Sequence, residues 1–356
     1  MKNTSFKNIL IAPLNWGLGH ATRCIPIIKQ LEERGFVPII ASDGMALILL
    51  KMEFPHLLAL ELPSYQIEYP TNGKDFKWKI IKNAPKMGVA IKNEKKLVKE
   101  WTLQYNLVGI ISDNRLGVFN KNVPSIYITH QLNLLTGNTT WLSTKIHQFV
   151  INKFNECWVP DTSELVNLSG RLGHLKQSNS GIKYIGALSR FKKISIPKQF
   201  DLMVLLSGPE PQRTVLEVKL MNEIKCFKGA VVFIKGIVQE QQVVEQQEHV
   251  LVYNFMNALE LEEAMNASNL VLCRSGYTTV MDLSKLEKKA FFIPTPGQFE
   301  QEYLARKFNA QKIAPFSNQD AFKIEMLKRT EKFSGFLNFT DFKVDWKQLF
   351  CLFERE

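Results

Sequence analysis

Short apolar runs alternate along the chain with longer stretches of helical periodicity. Ile9-Leu10-Ile11-Ala12 makes residues 7–12 read as a buried strand. A turn follows, Asn15-Trp16-Gly17-Leu18-Gly19-His20. Ile25, Ile28 and Leu31 then recur at helical spacing up to Gly35, and residues 36–41 form the next apolar run. Strand, turn, helix and strand in that order open a doubly wound parallel sheet. Further strands are expected at 57–60, 107–111, 125–129 and 156–159, with another ending in Lys183-Tyr184-Ile185-Gly186. Ser189-Arg190-Phe191-Lys192-Lys193 reads as a linker. A second series follows it: a strand at 201–206, a turn at Ser207-Gly208-Pro209, a helix at 214–221, and strands at 229–234, 249–253, 270–273 and 290–293. Residues 239–248 read as a polar loop or helix end. The last segment, 339–356, reads as a helix with Trp346, Leu349, Phe350 and Phe353 on one side. The pattern predicts an α/β protein of two domains, 1–190 and 191–338, closed by the helix at 339–356. A length of 356 residues agrees with two domains.

One segment departs from this pattern. Residues 71–101 carry nine lysines (74, 77, 79, 82, 86, 92, 95, 96 and 99) against Asp75, Glu94 and Glu100, interleaved with Phe76, Trp78, Ile80, Ile81, Met87, Val89, Ile91, Leu97 and Trp101. It reads as a solvated helix pair, or as a basic amphipathic face for an anionic membrane surface. The whole chain has a formal charge of +11, which fits nucleic acid, a membrane surface or a phosphorylated substrate. The lysines are clustered rather than interleaved with stacking aromatics in an RNA-type motif, which argues against nucleic acid. No apolar run approaches the roughly 18 residues of a membrane span, and the first apolar stretch is too short for a secretory segment. The five cysteines are scattered, with no CxxC or Cys/His cluster, so neither a zinc site nor a disulfide framework is expected. Together these readings predict a cytoplasmic protein.

Two motifs carry candidate chemistry. Gly17-Leu18-Gly19-His20-Ala21-Thr22 lies between a strand and a helix, where backbone amides favour negative charge. An imidazole at a helix N-terminus is biased towards its neutral form and can serve as a base. A dinucleotide fold is the redox alternative, with Asp43 as the ribose-binding acid, but Thr22 stands where the third glycine belongs. The second motif, Cys273-Arg274-Ser275-Gly276-Tyr277-Thr278-Thr279-Val280-Met281-Asp282, follows a strand and opens a helix. Ser275 and Gly276 make an anion-accepting turn, Thr278 and Thr279 add hydroxyls, and Asp282 lies where it can accept from a ribose. Pro294-Thr295-Pro296-Gly297-Gln298-Phe299-Glu300-Gln301 ends the next strand with groups that read sugar hydroxyls. Ser112-Asp113-Asn114-Arg115 follows a strand at the ligand-binding edge of an open sheet, with Asp113 a second candidate base. His130 is a candidate cleft residue, while His56, His147, His174 and His249 read as structural or surface groups.

These segments resemble the family 28 glycosyltransferases, which include the N-acetylglucosaminyltransferase of peptidoglycan synthesis. The family's glycine-rich loop ending in histidine is matched by Gly17 to His20, and its Arg-[Ser/Ala]-Gly-x-x-Thr-x-x-Glu stretch by Arg274 to Asp282. Its Pro-x-Pro and following polar pair are matched by Pro294, Pro296, Glu300 and Gln301. Looser matches are Gly186 to Arg190 for the diphosphate-approaching linker, Ser207-Gly208 for the loop opening the second domain, Phe255-Met256 for the pair framing the base, and Thr129-His130-Gln131-Leu132 for a cleft segment. Asp282 stands for the usual glutamate, and Glu300 and Leu304 for the usual His or Gln and Asn. The resemblance is to a relative of the peptidoglycan enzyme rather than to that enzyme itself.

The resemblance implies a GT-B fold, two Rossmann-like domains with parallel sheets facing across a cleft. It implies transfer of an N-acetylhexosamine or hexose from a UDP-sugar to a hydroxyl acceptor, with inversion and without a metal or other cofactor. The donor would lie on Arg190, Ser207, Gly208, Phe255, Met256, Arg274, Ser275, Gly276, Thr278, Thr279, Asp282, Gln298, Glu300 and Gln301. The acceptor would lie near Gly17, Gly19, Asn114, Arg115, His130 and Gln131, with His20 or Asp113 as base. A lipid-linked or cell-envelope glycan is the expected acceptor, at the inner face of the cytoplasmic membrane. The alternatives are a UDP-sugar 2-epimerase and a non-catalytic sugar-nucleotide-binding protein.

Overall fold

A computed structural model describes residues 7–65, 76–136, 140–175, 181–208, 210–237, 239–337, 339 and 344–354, with 76–84 as backbone only. Residues 71–75 of the basic segment and Pro209 of the expected turn lie outside the described residues. The chain divides into two compact units: Met1–Glu68, Lys77–Leu188 and Phe342–Glu356 in the first, Tyr69–Phe76 and Ser189–Asp341 in the second.

The first unit begins β1 (Lys7–Pro13), α1 (Gly19–Glu33), β2 (Phe36–Ser42), α2 (Gly44–Glu53), β3 (Ala59–Glu61) and α3 (Phe76–Gln104). It continues β4 (Leu107–Asp113), β5 (Ser125–Ile128), α4 (Thr140–Ile151), β6 (Glu156–Val159) and β7 (Ile182–Tyr184). Its strands pair in the order β3-β2-β1-β4-β5-β6-β7, all parallel. Strands buried on both faces read as unbroken apolar runs, which is why Ile9 to Ala12 and Ile39 to Ala41 stood out. α1 buries Ile25, Ile28 and Leu31 as its periodicity predicts, and it ends where Gly35 takes a positive φ of 78° and donates to Glu32 O.

The basic segment is one helix rather than a pair. α3 is 29 residues long and runs through Pro85. Its sheet-facing side is fixed by Val98 and Trp101, which pack on Leu10, Ile39, Leu107 and Ile110. The helix continues through Pro85 without interruption, where the sequence had suggested two helices.

The second unit is built from β8 (Phe200–Leu205), α5 (Gln212–Ile224), β9 (Val231–Ile234), β10 (Val244–Gln247), β11 (Val250–Tyr253), α6 (Ala258–Ala267), β12 (Ser268–Cys273), α7 (Tyr277–Lys285), β13 (Lys289–Phe292) and α8 (Phe299–Ala310). Its sheet order is β10-β11-β9-β8-β12-β13, parallel except for β10 against β11. The polar loop expected at 239–248 contains that antiparallel edge strand. All four residues of β10 are exposed, so no buried side marked it in the sequence.

The closing segment is also shorter than its periodicity suggested. Among its described residues only α9 (Trp346–Phe350) is α-helical, followed by a 3₁₀ turn over Cys351–Phe353. Leu349, Phe350 and Phe353 are buried in the first unit, with the Phe350 and Phe353 rings against Phe36. Phe353 sits over Gly109 of β4, where an added Cβ would collide with its ring. Gly109→Ala is therefore expected to cost about 1–3 kcal/mol through overpacking, read as a lower denaturation midpoint. An unchanged midpoint would mean that the closing segment is not held against β4.

Candidate functional site

In each sheet the order of the parallel strands reverses once, and open α/β sheets bind ligands beyond the C-terminal ends of the strands at that point. In the first unit the reversal lies between β1 and β4, which pair with Pro13 beside Asp113. The loop after β1 carries Gly17, at a φ of 74°, and delivers the chain into α1 at Gly19. His20 is thus in the first turn of α1, directly beside the end of β4. Its Nδ1 lies 2.9 Å from Asp113 Oδ1.

Arg23, one turn further along α1, completes the cluster. Its Nε and Nη2 donate to the two Asp113 oxygens, and its Nη1 lies 3.0 Å from His130 Nδ1. Cys24 Sγ adds a weak donor 3.6 Å from Asp113 Oδ2. Asp113 is fully buried and Arg23 is 1% exposed, whereas His20 keeps 12% of its side chain in solvent. Burial pushes the Asp113 carboxyl up, but Arg23 and His20 together outweigh it and hold it well below the usual carboxylate range. His20 is lowered, first by burial and then by the Arg23 charge, with Asp113 opposing. The imidazole is accordingly neutral at pH 7. An ionised carboxylate only accepts, so Nδ1 carries the ring proton towards Asp113, and Nε2 is left as a proton acceptor. Of the two candidate bases, Asp113 is shut away and His20 is the one that reaches solvent.

Asn114, at a φ of 59°, accepts from Tyr127 OH at 3.1 Å, and that hydroxyl is 3.1 Å from His147 Nε2. Gln131 follows His130, its backbone held by Thr129 Oγ1. Arg115 does not belong to an acceptor surface. It is fully buried and donates to Pro13 O, Pro63 O, Glu94 and Asp43. Glu94, in turn, accepts from Tyr65 OH at 2.7 Å and from Gly117 N at 3.0 Å. Arg115 is a structural cation that ties α3 and the loop after β2 to the end of β4. The same contact occupies Asp43, together with Asn15 at 3.2 Å, which removes the acid that the redox reading required. Arg23 and Glu94 escaped the sequence reading. Arg23 had a signal, since residues three apart share a helix face with His20.

In the second unit the reversal lies between β8 and β12. Ser207 and Gly208 are exposed after β8, and Phe255 and Met256 are half-buried after β11. Gly276 caps α7 without a side-chain cap, which leads the first-turn amides of Thr278 and Thr279 to the strand end. Gln298 caps α8, with Glu300 half-buried in its first turn.

Three expected donor contacts are spent inside the loops instead. Arg274 is buried and donates to Ile293 O, Pro294 O, Gln212 O and Gln319 Oε1, and burial pushes its pKa down to about 9. Ser275 Oγ donates to Gln301 O at 2.8 Å, and Gln301 Oε1 accepts from Thr295 N at 2.8 Å. These side chains shape the turn that a ligand would meet through backbone amides. Asp282 is half-buried and accepts from Ser189 Oγ at 2.6 Å. Burial raises its pKa to about 7, against the Ser189 hydrogen bond and the charge of neighbouring Arg190.

Comparison with known proteins bears on the second unit most directly. Residues 213–331 match the glycosyltransferase family 28 C-terminal domain. The Haemophilus ducreyi UDP-N-acetylglucosamine–N-acetylmuramyl-(pentapeptide) pyrophosphoryl-undecaprenol N-acetylglucosamine transferase is 25% identical over 189 residues, covering 51% of this chain and 49% of the relative. The chain thus spans about half the length of this curated relative. Among solved structures, Acinetobacter baumannii MurG superposes with a TM-score of 0.58 at 12% identity, over 98% of this chain and 100% of that one. A putative UDP-N-acetylglucosamine 2-epimerase from Listeria monocytogenes gives 0.62 at 10% identity, over 97% and 95%. The fold is the GT-B fold expected from the sequence, and the resemblance to family 28 is found again in the match to its C-terminal domain.

The raised pKa of Asp282 has a consequence for stability. An acid whose folded pKa is raised destabilises the native state once it ionises. The penalty starts above the unfolded value of about 3.9 and is complete above about 7. Asp282→Asn is expected to raise Tm at pH 8 and to leave it nearly unchanged at pH 4. Thermal melts at the two pH values test this, and an equal shift at both would refute the assigned pKa.

Proposed function

We propose that this chain transfers a glycosyl group from a UDP-sugar to a hydroxyl acceptor, with inversion and without a metal. The observation that carries the reading is the His20–Asp113 pair, a neutral imidazole oriented by a buried carboxylate at the switch point of its sheet. His20 Nε2 takes the proton of the acceptor hydroxyl. The acceptor oxygen attacks the anomeric carbon as the bond from that carbon to the diphosphate oxygen breaks, and the diphosphate leaves with the electron pair. The leaving charge falls to the backbone amides at the start of α7 and to Arg190. Asp282 accepts from the ribose, Phe255 and Met256 frame the base, and Gln298 and Glu300 read the sugar. An N-acetylhexosamine or a hexose fits that polar pair. The likeness to the Haemophilus relative, by name a UDP-N-acetylglucosamine-dependent transferase, favours the uridine nucleotide.

An epimerase is the nearest rival on fold grounds. Its chemistry needs several acid and base groups around one sugar, whereas Asp113 and Arg23 are buried and His20 is the member of that cluster that reaches solvent. A non-catalytic sugar-nucleotide-binding role would need Asp282 and α7 but not the His20–Asp113 pair.

The expected acceptor is lipid-linked, with the protein at an anionic membrane surface. Among the described residues no helix is long and apolar enough to cross a bilayer. Lys86, Lys92, Lys95, Lys96 and Lys99 of α3 are exposed. α4 supports the same reading from residues that the sequence did not single out. Trp141 and Phe149 are 67% and 66% exposed, with Leu142 and Ile146 beside them, and Lys145 and Lys153 lie over the two rings at 4.4 Å each. Aromatics edged by lysines suit the boundary between headgroups and acyl chains.

His20→Ala is expected to lower kcat by about 10²–10⁴-fold while UDP still stabilises the protein thermally. Asp282→Ala is expected to weaken that stabilisation by UDP. Turnover that survives His20→Ala would remove the base from the scheme, and absence of stabilisation by any nucleotide-sugar would remove the activity. For the membrane contact, co-sedimentation should occur with phosphatidylglycerol-containing vesicles, weaken with salt, and fall in Trp141→Ser/Phe149→Ser. Equal partition onto pure phosphatidylcholine vesicles would count against an anionic surface.

A further inference from the structure

We propose that Arg23 is a positioning residue, a single buried guanidinium that fixes opposite tautomers in two histidines and leaves His20 Nε2 as an acceptor and His130 Nε2 as a donor. The inference rests on the reading of His20 as base only for its catalytic consequence. The tautomers themselves follow from the geometry.

A guanidinium has donors and no acceptor. Arg23 Nη1 lies 3.0 Å from His130 Nδ1, so that nitrogen presents its lone pair and the ring proton goes to Nε2. There it meets the Gln131 side-chain amide, whose nitrogen is placed 3.5 Å away and whose oxygen takes the proton once the amide is turned by half a rotation. His20 Nδ1 is 2.9 Å from Arg23 Nη2 and also 2.9 Å from Asp113 Oδ1. If Nδ1 were unprotonated here, its lone pair would abut a carboxylate oxygen at hydrogen-bond distance. With the proton on Nδ1, both it and Nη2 donate to the same Oδ1, which has two lone pairs to receive them. The two histidines therefore carry their protons on different nitrogens, although the same side chain touches both at Nδ1.

The groups facing His20 are Arg23 from its own helix, Asp113 from β4 and His130 from the segment after β5, with Cys24 facing Asp113. Among these, Arg23 is the permanent cation. It keeps Asp113 ionised and makes a proton on His20 costly, so the base is held both empty and aimed. His130, 5% exposed, is set as a donor next to an acceptor. That arrangement suits a hydroxyl acceptor with a second oxygen near the one attacked.

Long-range ¹H–¹⁵N NMR of the histidine rings tests this without substrate, with signals assigned through His20→Ala and His130→Ala. In the wild type His20 should show the Nδ1–H pattern and His130 the Nε2–H pattern. Arg23→Met should leave His130 as a tautomer mixture and move the acid limb of the kcat/KM profile upward, because the charge that disfavours a proton on His20 is gone. Arg23→Lys should keep the acid limb near its wild-type position, because the charge remains, while His130 still loses its preference. A wild-type His130 protonated on Nδ1 would overturn the proposal even if no Arg23 variant folds. An unchanged His130 pattern in Arg23→Met would overturn it as well. Fixed tautomers combined with normal turnover in His20→Ala would leave Arg23 in this role and remove the glycosyl-transfer reading instead.

Discussion

The contact between Arg23 and Asp113 is the one on which the first unit's chemistry rests. A carboxylate with no solvent exposure survives as an ion only when a cation is placed against it. Removing one partner from such a pair typically costs 3–5 kcal/mol, because the other is left charged and buried. Once the pair is in place, the rest follows from geometry. Asp113 is fixed at the end of β4, His20 is drawn to it from the first turn of α1, and the proton on the imidazole faces inward. Two residues later the same strand end repeats the device with opposite sign, as Arg115 is matched by Asp43 and Glu94. One network orients His20, and the other anchors a long helix.

The second unit solves a different problem. An anion site made from backbone amides needs a turn held in one shape, and here the polar side chains of the motif supply that shape. Arg274 bridges the carbonyls that end β13, and Ser275 and Gln301 lock the two neighbouring loops together. Side chains that look like ligand contacts in a motif are thus the frame around the amides. Asp282 differs because its carboxyl is only half-buried and accepts from the Ser189 hydroxyl.

Much of the fold was legible because parallel strands buried on both faces leave unbroken apolar runs, and because α1 closes at a glycine with a positive φ. The exposed edge strand β10 left no such trace, and α3 read as a pair of helices where one runs. The site was legible in its parts and not in its pairings. His20 and Asp113 each stood out at the end of a strand, but they lie 93 residues apart in sequence, and only the register of β1 against β4 brings them together. Arg115 shows the opposite failure. A charged residue next to a reactive one reads as a surface group until its burial is known, and burial depends on Glu94 and Asp43, which no local pattern connects to it.

The closing segment has a bearing on how the protein is made. Phe353 fills a notch that Gly109 leaves in the sheet of the first unit, yet it follows the whole second unit in the chain. During synthesis, the first unit can assemble its strands early but cannot seal that notch until the second unit has left the ribosome. The second unit is thus folded as an insertion within an unfinished neighbour, and the final packing of the first sheet is a late event. Until then a patch beside β4, close to the elements that carry Asp113, stays open to water.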